Sequence, residues 1–288
     1  IAVLDDKKAD TNTVYDSNGG RIEYYGRYVK DSNGKGYGKI SLARGFELSS
    51  NTVLVQSVYD NYKNNPKQFV DRINSYGLNK PLGLPIKGEG KPFIPQPGTS
   101  GWSGVALPWM AFGYGVSVTP LQTLTLYNAV ANNGVMVKPI FVSEIKEWNK
   151  TIKKYNTEII NPKICSDETL RKVHKVLENV VKRGTGSKLY SKDFSMAGKT
   201  GTAQVNYGKP EMYYASSFVG YFPADQPKYS CIVIIHKPDK TIGYYGGDVS
   251  GPVFKRIAQK IFTDSPTKNV VKNLELKNPN QEKNYSDY

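Results

Sequence analysis

The chain has 288 residues, 39% hydrophobic and 22% charged, enough for one large domain or two small ones with a buried core. Its longest strongly apolar run, Cys231 to Ile235, falls far short of the ~20 residues that span a bilayer, and the composition excludes a disordered chain. The net charge of +14 lies wholly in residues 1–263, because 264–288 hold four lysines and four acids.

The chain opens on a short apolar stub, IAVL, and then turns polar and Gly-rich. IEYYGRYV (22–29) reads as one strand and DSNGKGYG (31–38) as a loop. From Ser41 to Tyr62 a helical pattern is interrupted at Ser49-Ser50-Asn51. PKQFVDRINSYG follows as a short helix, with Pro66 in its first turn, Phe69 and Ile73 on one face and Gly77 as its stop. Residues 80–105 are rich in Gly and Pro and read as a long surface loop. Thr119 starts a helix, with Pro120 in its first turn, Gln122 placed for a capping box and Asn133-Gly134 at its end. A second clear helix runs from the cap Ser166, with Asp167 and Glu168 at its positive end and a stripe of Leu170, Val173, Leu177 and Val180. Gly184 stops it.

Three strand-like runs come next: GKTGTAQV, YASSFVGYF and YSCIVIIH. A last helix starts near Ser250, with Phe254, Ile257, Ala258 and Ile261 facing inward. Helices first and antiparallel strands second indicate an α+β fold. Residues 264–288 are polar, lack an apolar period and read as a linker or tail.

A basic surface attracts nucleic acid, anionic lipid or acidic polymer. No helix-turn-helix, zinc-finger or RNA-binding aromatic motif is present, so nucleic acid is not expected as a partner. His174 and His236 lack Cys, Asp or Glu partners at ligand spacing, and neither a metal nor a cofactor is expected. Nothing demands that Cys165 and Cys231 pair, and Cys231 suits a small core position.

The strongest chemical signal is Lys199-Thr200-Gly201-Thr202-Ala203-Gln204. Lys199 supplies a fixed cation, the hydroxyls of Thr200 and Thr202 can donate to an oxyanion, and Gly201 keeps a strand surface flat for a close approach. Together they suit a carboxylate bound at a sheet edge, with a peptide aligned as an added strand. Taken alone, the tripeptide equally suits a polar turn entering an edge strand. Ser49-Ser50-Asn51 is the second signal. Ser49 can relay a proton, and Asn51 can hold an amide through its carbonyl and amino groups. The same residues also suit a cap at a helix junction.

Order and context join the two signals. LARGFELSSNTVLVQ, WMAFGYGVSVTPLQTLTLYNAVANNGVMVKP, LENVVKRGTGSK, MAGKTGTAQ, ASSFVGYFPAD and YYGGDVSGPVFKRIA together resemble the transpeptidase domain of class B penicillin-binding proteins of the division type, from about Tyr15 to Phe262. The resemblance implies a penicillin-binding/serine β-lactamase-like fold, an antiparallel sheet flanked by helices with a helical subdomain, over residues 1–263. It implies acyl transfer from the D-Ala-D-Ala end of peptidoglycan stem peptides in septal wall synthesis, blocked by β-lactam antibiotics. Ser49 would shuttle protons and Asn51 would orient the acyl donor. Lys199, Thr200 and Thr202 would bind the terminal carboxylate, and the Thr202 N–H would supply half of an oxyanion hole. Partners would include membrane proteins of cell division. The domain would work on the extracytoplasmic (periplasmic) face of the cell membrane, with an anchor ahead of Ile1. A serine β-lactamase fits less well, because no Glu-x-x-Leu-Asn loop lies between Asn51 and Lys199.

One departure stands out. The family's S-x-x-K nucleophile motif has three matches here: Ser32 with Lys35, Ser143 with Lys146 and Ser265 with Lys268. Ser32 lies in a loop, and the other two follow the Ser-x-Asn motif instead of preceding it. None suits a serine at a rigid helix start. The expectation is a domain incomplete at the N-terminus, with IAVLDD as the last turns of the nucleophile helix. Such a chain would be inactive alone and would expose an apolar groove. The alternative is a non-catalytic scaffold or sensor of the division machinery.

Overall fold

A computed structural model describes residues 1–206 and 208–264. Residues 265–288, nearly all of the expected tail, lie outside the described residues.

Helix α1 (Ala2–Asp5) and strand β1 (Val14–Asp16) lead into a hairpin of β2 (Arg21–Tyr24) and β3 (Arg27–Lys30). IEYYGRYV is therefore two strands rather than one. Tyr25 and Gly26 both take positive φ, 51° and 75°, which makes the two-residue turn whose twist matches the strands it joins. Strand β4 (Lys39–Ser41) pairs back on β1. The interrupted helix becomes α2 (Leu42–Glu47), capped by Ser41, and α3 (Asn51–Tyr62), capped by Ser50. Helix α4 (Pro66–Ser75) carries Pro66 at its start and Gly77, φ 73°, beyond its end.

Directly after the long loop comes a short helix that the sequence did not signal, α5 (Ala106–Met110). Helix α6 (Pro120–Ala131) has both halves of the Thr119–Gln122 capping box. Strand β5 (Met136–Val137) precedes an exposed hairpin, β6 (Glu144–Glu147) with β7 (Lys150–Lys154), and β8 (Ile159–Asn161) returns to pair with β5. Helix α7 (Asp167–Arg183) is capped by Ser166.

The three expected strands form one antiparallel sheet: β9 (Ala197–Val205), β10 (Tyr213–Phe222) and β11 (Tyr229–His236), in the order β11-β10-β9. Helix α8 (Ser250–Asp264) follows. Strand alternation divides the sheet between two cores. Tyr221 and Ala197 face Ala129 of α6 and Leu177 of α7. Phe218 and Phe222 face Phe254 and Ala258 of α8. Ile257 was expected inside but is 37% exposed. Phe254, Ala258 and Ile261 stack three and four residues apart along one narrow stripe, and Ile257 falls at its edge. A third core joins α1, α3, α4 and α5 through Val53, Val58, Tyr62, Phe69 and Leu107. The result is a mixed α+β fold, a sheet between helical layers with a separate helical core beside it. Strand β9 is an edge strand, and the α2–α3 junction meets it from the helical side.

Candidate active site

The α2–α3 junction places Ser49. Leu48 closes α2, Ser49 adopts φ 55°, and Ser50 then caps α3 through its side chain on the Val53 N–H. Positive φ is strained for a residue with a Cβ, and surrounding contacts must hold it. The Ser50 N–H donates to the Gly45 carbonyl at 2.8 Å. Gly45 packs so tightly on Val53 that a Cβ there would collide with it.

Lys199 reaches Ser49 across 150 positions of sequence: its Nζ donates to Ser49 Oγ at 2.9 Å and to the Thr200 carbonyl at 3.1 Å. The ammonium also lies 5.6 Å from the centre of the Phe46 ring. Burial pulls the Lys199 pKa down to about 8. The two sequence signals thus meet at one hydrogen bond. Since Lys199 donates to Ser49 Oγ, the Ser49 proton is free to go elsewhere.

Thr202 Oγ1 accepts from the Gly246 N–H at 3.1 Å, which also leaves its own proton free. Thr200 Oγ1 lies 2.7 Å from Thr185 Oγ1. The Gln204 N–H donates to the Tyr114 hydroxyl at 3.3 Å, so it points away from β10. Strand N–H groups alternate in direction, and the Thr202 N–H therefore shares that open edge. Gly201 has a reason beyond a flat approach surface. A Cβ on it would lie 2.5 Å from Ser217 Oγ, its partner across the strands.

Asn51, the first residue of α3, donates through Nδ2 to the Lys30 carbonyl at 2.8 Å. Its hydrogen bond goes to the end of β3 and not to β9. The bond uses the amino group and leaves Oδ1 as an acceptor.

Several neighbours have no local sequence signal. Glu47 is fully buried and receives Nε and an Nη of Arg183, at 3.0 and 2.9 Å, and an Nη of Arg44 at 2.9 Å. Burial pushes its carboxyl up, but the two guanidiniums outweigh this and hold it below the usual range. The Glu47 carbonyl accepts from the Thr185 N–H at 3.0 Å. Only Thr185 had a cue, the small-residue frame Gly184-Thr185-Gly186.

An apolar cavity of about 510 Å³ opens beside the site, lined by Leu42, Phe46, Val58, Met110, Leu126 and Leu177. Phe46 is shared between cavity and site. Ser32 and Lys35 lie in the turn after β3, and Ser143 and Lys146 lie at the exposed β6–β7 hairpin.

Residues 1–259 match the family model described as the penicillin-binding protein transpeptidase domain. The chain is 35% identical to stage V sporulation protein D of Bacillus subtilis over 192 residues, 64% of this chain and 29% of that protein. It is 32% identical to the peptidoglycan D,D-transpeptidase FtsI of Escherichia coli over 193 residues, 65% of this chain and 30% of that protein. The alignments thus span about a third of the length of these relatives. Among solved structures, the transpeptidase domain of Burkholderia pseudomallei penicillin-binding protein 3 superposes with a TM-score of 0.76 at 25% identity, covering 91% of this chain and 75% of that one. Penicillin-binding protein 3 of Mycobacterium tuberculosis, complexed with aztreonam, gives 0.77 at 27% identity, covering 93% and 60%.

Proposed function

The chain belongs to the penicillin-binding protein transpeptidase family, and on that premise we propose that it forms the recognition cleft of a peptidoglycan D,D-transpeptidase. The observation that carries this is the 2.9 Å bond from Lys199 Nζ to Ser49 Oγ beside an open strand edge. The substrate is the D-Ala-D-Ala end of a stem peptide, and β-lactams mimic it. The setting is septal wall synthesis on the extracytoplasmic face of the cell membrane, with cell-division membrane proteins as partners. No helix among the described residues is long and apolar enough to cross a membrane.

In the reaction a serine attacks the penultimate carbonyl, terminal D-Ala leaves, and an amine of a second strand takes the acyl group. The protons of Thr200 and Thr202 hold the terminal carboxylate. The Thr202 N–H meets the oxyanion. Asn51 Oδ1 accepts an amide N–H of the acyl donor. The attacking serine yields its proton to its own lysine. Ser49 passes its proton to the departing D-Ala nitrogen and takes one from the Lys199 ammonium. In the second half of the reaction the incoming amine returns that proton through Ser49, as the attacking serine recovers its own from its lysine. Lys199 serves the carboxylate as nearby charge, since its hydrogen bonds go to Ser49 and Thr200. The attacking serine and its lysine belong on an apolar helix seated in the cavity beside Phe46.

Binding tests the recognition half of this reading. The chain is titrated with an N-acyl-D-Ala-D-Ala peptide, its C-terminal amide and its L,L epimer. Saturable binding of the free D,D acid alone is expected. Equal binding of acid and amide would overturn the assignment of Thr200 and Thr202.

A further inference from the structure

Asp31 ends the β2–β3 hairpin and is 3% exposed. A buried carboxylate is costly unless its oxygens are well supplied with donors. Here the donors come from Ser50 and Thr52, the residues on either side of Asn51. Ser50 Oγ lies 3.2 and 3.1 Å from the two oxygens, Thr52 Oγ1 donates at 2.9 Å, and the Thr52 N–H donates at 3.0 Å. Thr52 is the second residue of α3, so the carboxylate also sits at that helix's positive end. The adjoining residue, Lys30, offers the carbonyl that holds the Asn51 side chain.

From this arrangement we infer that Asp31 is a positioning residue for the acyl-donor site: with the Lys30 carbonyl it fixes the Ser49-Ser50-Asn51 turn from below. Two consecutive residues supply two anchors. One orients the Asn51 amide so that Oδ1 is the free acceptor. The other ties Ser50 and Thr52, on either side of Asn51, and helps hold Ser49 at its positive φ. Loss of the carboxylate charge leaves two buried hydroxyls and one N–H with a poorer acceptor. The α3 start then moves off β3, and Asn51 loses its fixed orientation before the sheet is affected. The inference rests on the reading of Asn51 as the acyl-donor contact.

The test uses the full chain and Asp31→Asn, which keeps the shape and removes the charge. Nuclear magnetic resonance reads the Asn51 side-chain amide. In a variant that still melts cooperatively, that signal is expected to shift and to exchange with water about tenfold faster, the scale of one lost charge-assisted hydrogen bond. The Phe218 and Tyr221 backbone amides keep their protection. Affinity for N-acyl-D-Ala-D-Ala is then measured for Asp31→Asn, Asn51→Ala and the double variant. If Asp31 acts through Asn51, the double variant binds no worse than Asn51→Ala. An unmoved Asn51 signal in folded Asp31→Asn, or losses that multiply, would overturn the inference. If Asp31→Asn fails to fold, Thr52→Val removes one donor, and the same signal decides. A wild-type chain that binds no dipeptide, with an Asn51 signal that still responds, defeats the substrate reading and leaves the positioning role standing.

Discussion

Arg183 grips Glu47 with two parallel donors, at 3.0 and 2.9 Å, and so ties the end of α7 to the end of α2 two residues before Ser49. The same turn carries Thr185, which meets Thr200 on β9. One ion pair therefore sets the spacing of the two motif-bearing segments. Arg183→Ala leaves a fully buried carboxylate with Arg44 as its remaining cation. The Arg183 side chain is 61% exposed, which tempers the loss, and a destabilisation of about 1–3 kcal/mol is expected at pH 7. Since Glu47 has a depressed pKa when folded, its contribution is full above its ordinary value of 4.5 and fades as the pH falls through the folded value. Urea melts should show the gap between wild type and Arg183→Ala narrowing below that pH. A gap of constant size would refute the ion-pair account.

Lys199 gives a pH dependence of opposite origin. Its folded pKa, about 8, lies below the ordinary 10.5. Between those values the unfolded chain holds a proton that the folded chain has released, so stability rises with pH. Buried tyrosines such as Tyr76, raised above their ordinary value of 10.0, pull the other way above that pH, so the window to read is pH 8 to 10. The stability of wild type relative to Lys199→Met is expected to grow by about 2 kcal/mol across it. Parallel curves would show that Lys199 is not desolvated.

Two glycines pack the site tightly in different ways. A Cβ on Gly45 meets the Val53 side chain, whereas one on Gly246 lies 2.5 Å from the Gly201 carbonyl oxygen, a backbone atom. Gly45→Ala and Gly246→Ala should each cost about 1–3 kcal/mol by overpacking. Trimming the neighbour separates them: Val53→Ala should recover part of the Gly45→Ala loss, measured by thermal melts of the single and double variants. Purely additive losses would count against the contact.

Much of this was legible in the sequence because each motif is contiguous. Ser49-Ser50-Asn51 and Lys199 to Thr202 carry their chemistry within three or four residues, and the caps at Thr119 and Ser166 depend only on their own helices. What escaped depends on tertiary approach. Asp31 looks like a turn residue until α3 is laid against it, and Glu47 and Arg183 stand 136 positions apart. Both hairpins were hidden by their turn chemistry. Tyr25 and Trp148 occupy first turn positions at φ 51° and 47°, where Asn or Asp would have signalled the turn.

Intact-mass analysis after treatment with benzylpenicillin tests the transpeptidase reading most directly. It is applied to the 288-residue chain and to the same chain joined at Ile1 to an apolar helix bearing S-x-x-K. The expected result is no adduct on the chain alone, and one β-lactam mass on the added serine of the joined protein, abolished by Lys199→Met. An adduct on Ser32 of the chain alone, or none on a joined protein that melts cooperatively, would contradict it and favour a binding scaffold that keeps Ser49, Asn51 and Lys199 without the acyl transfer.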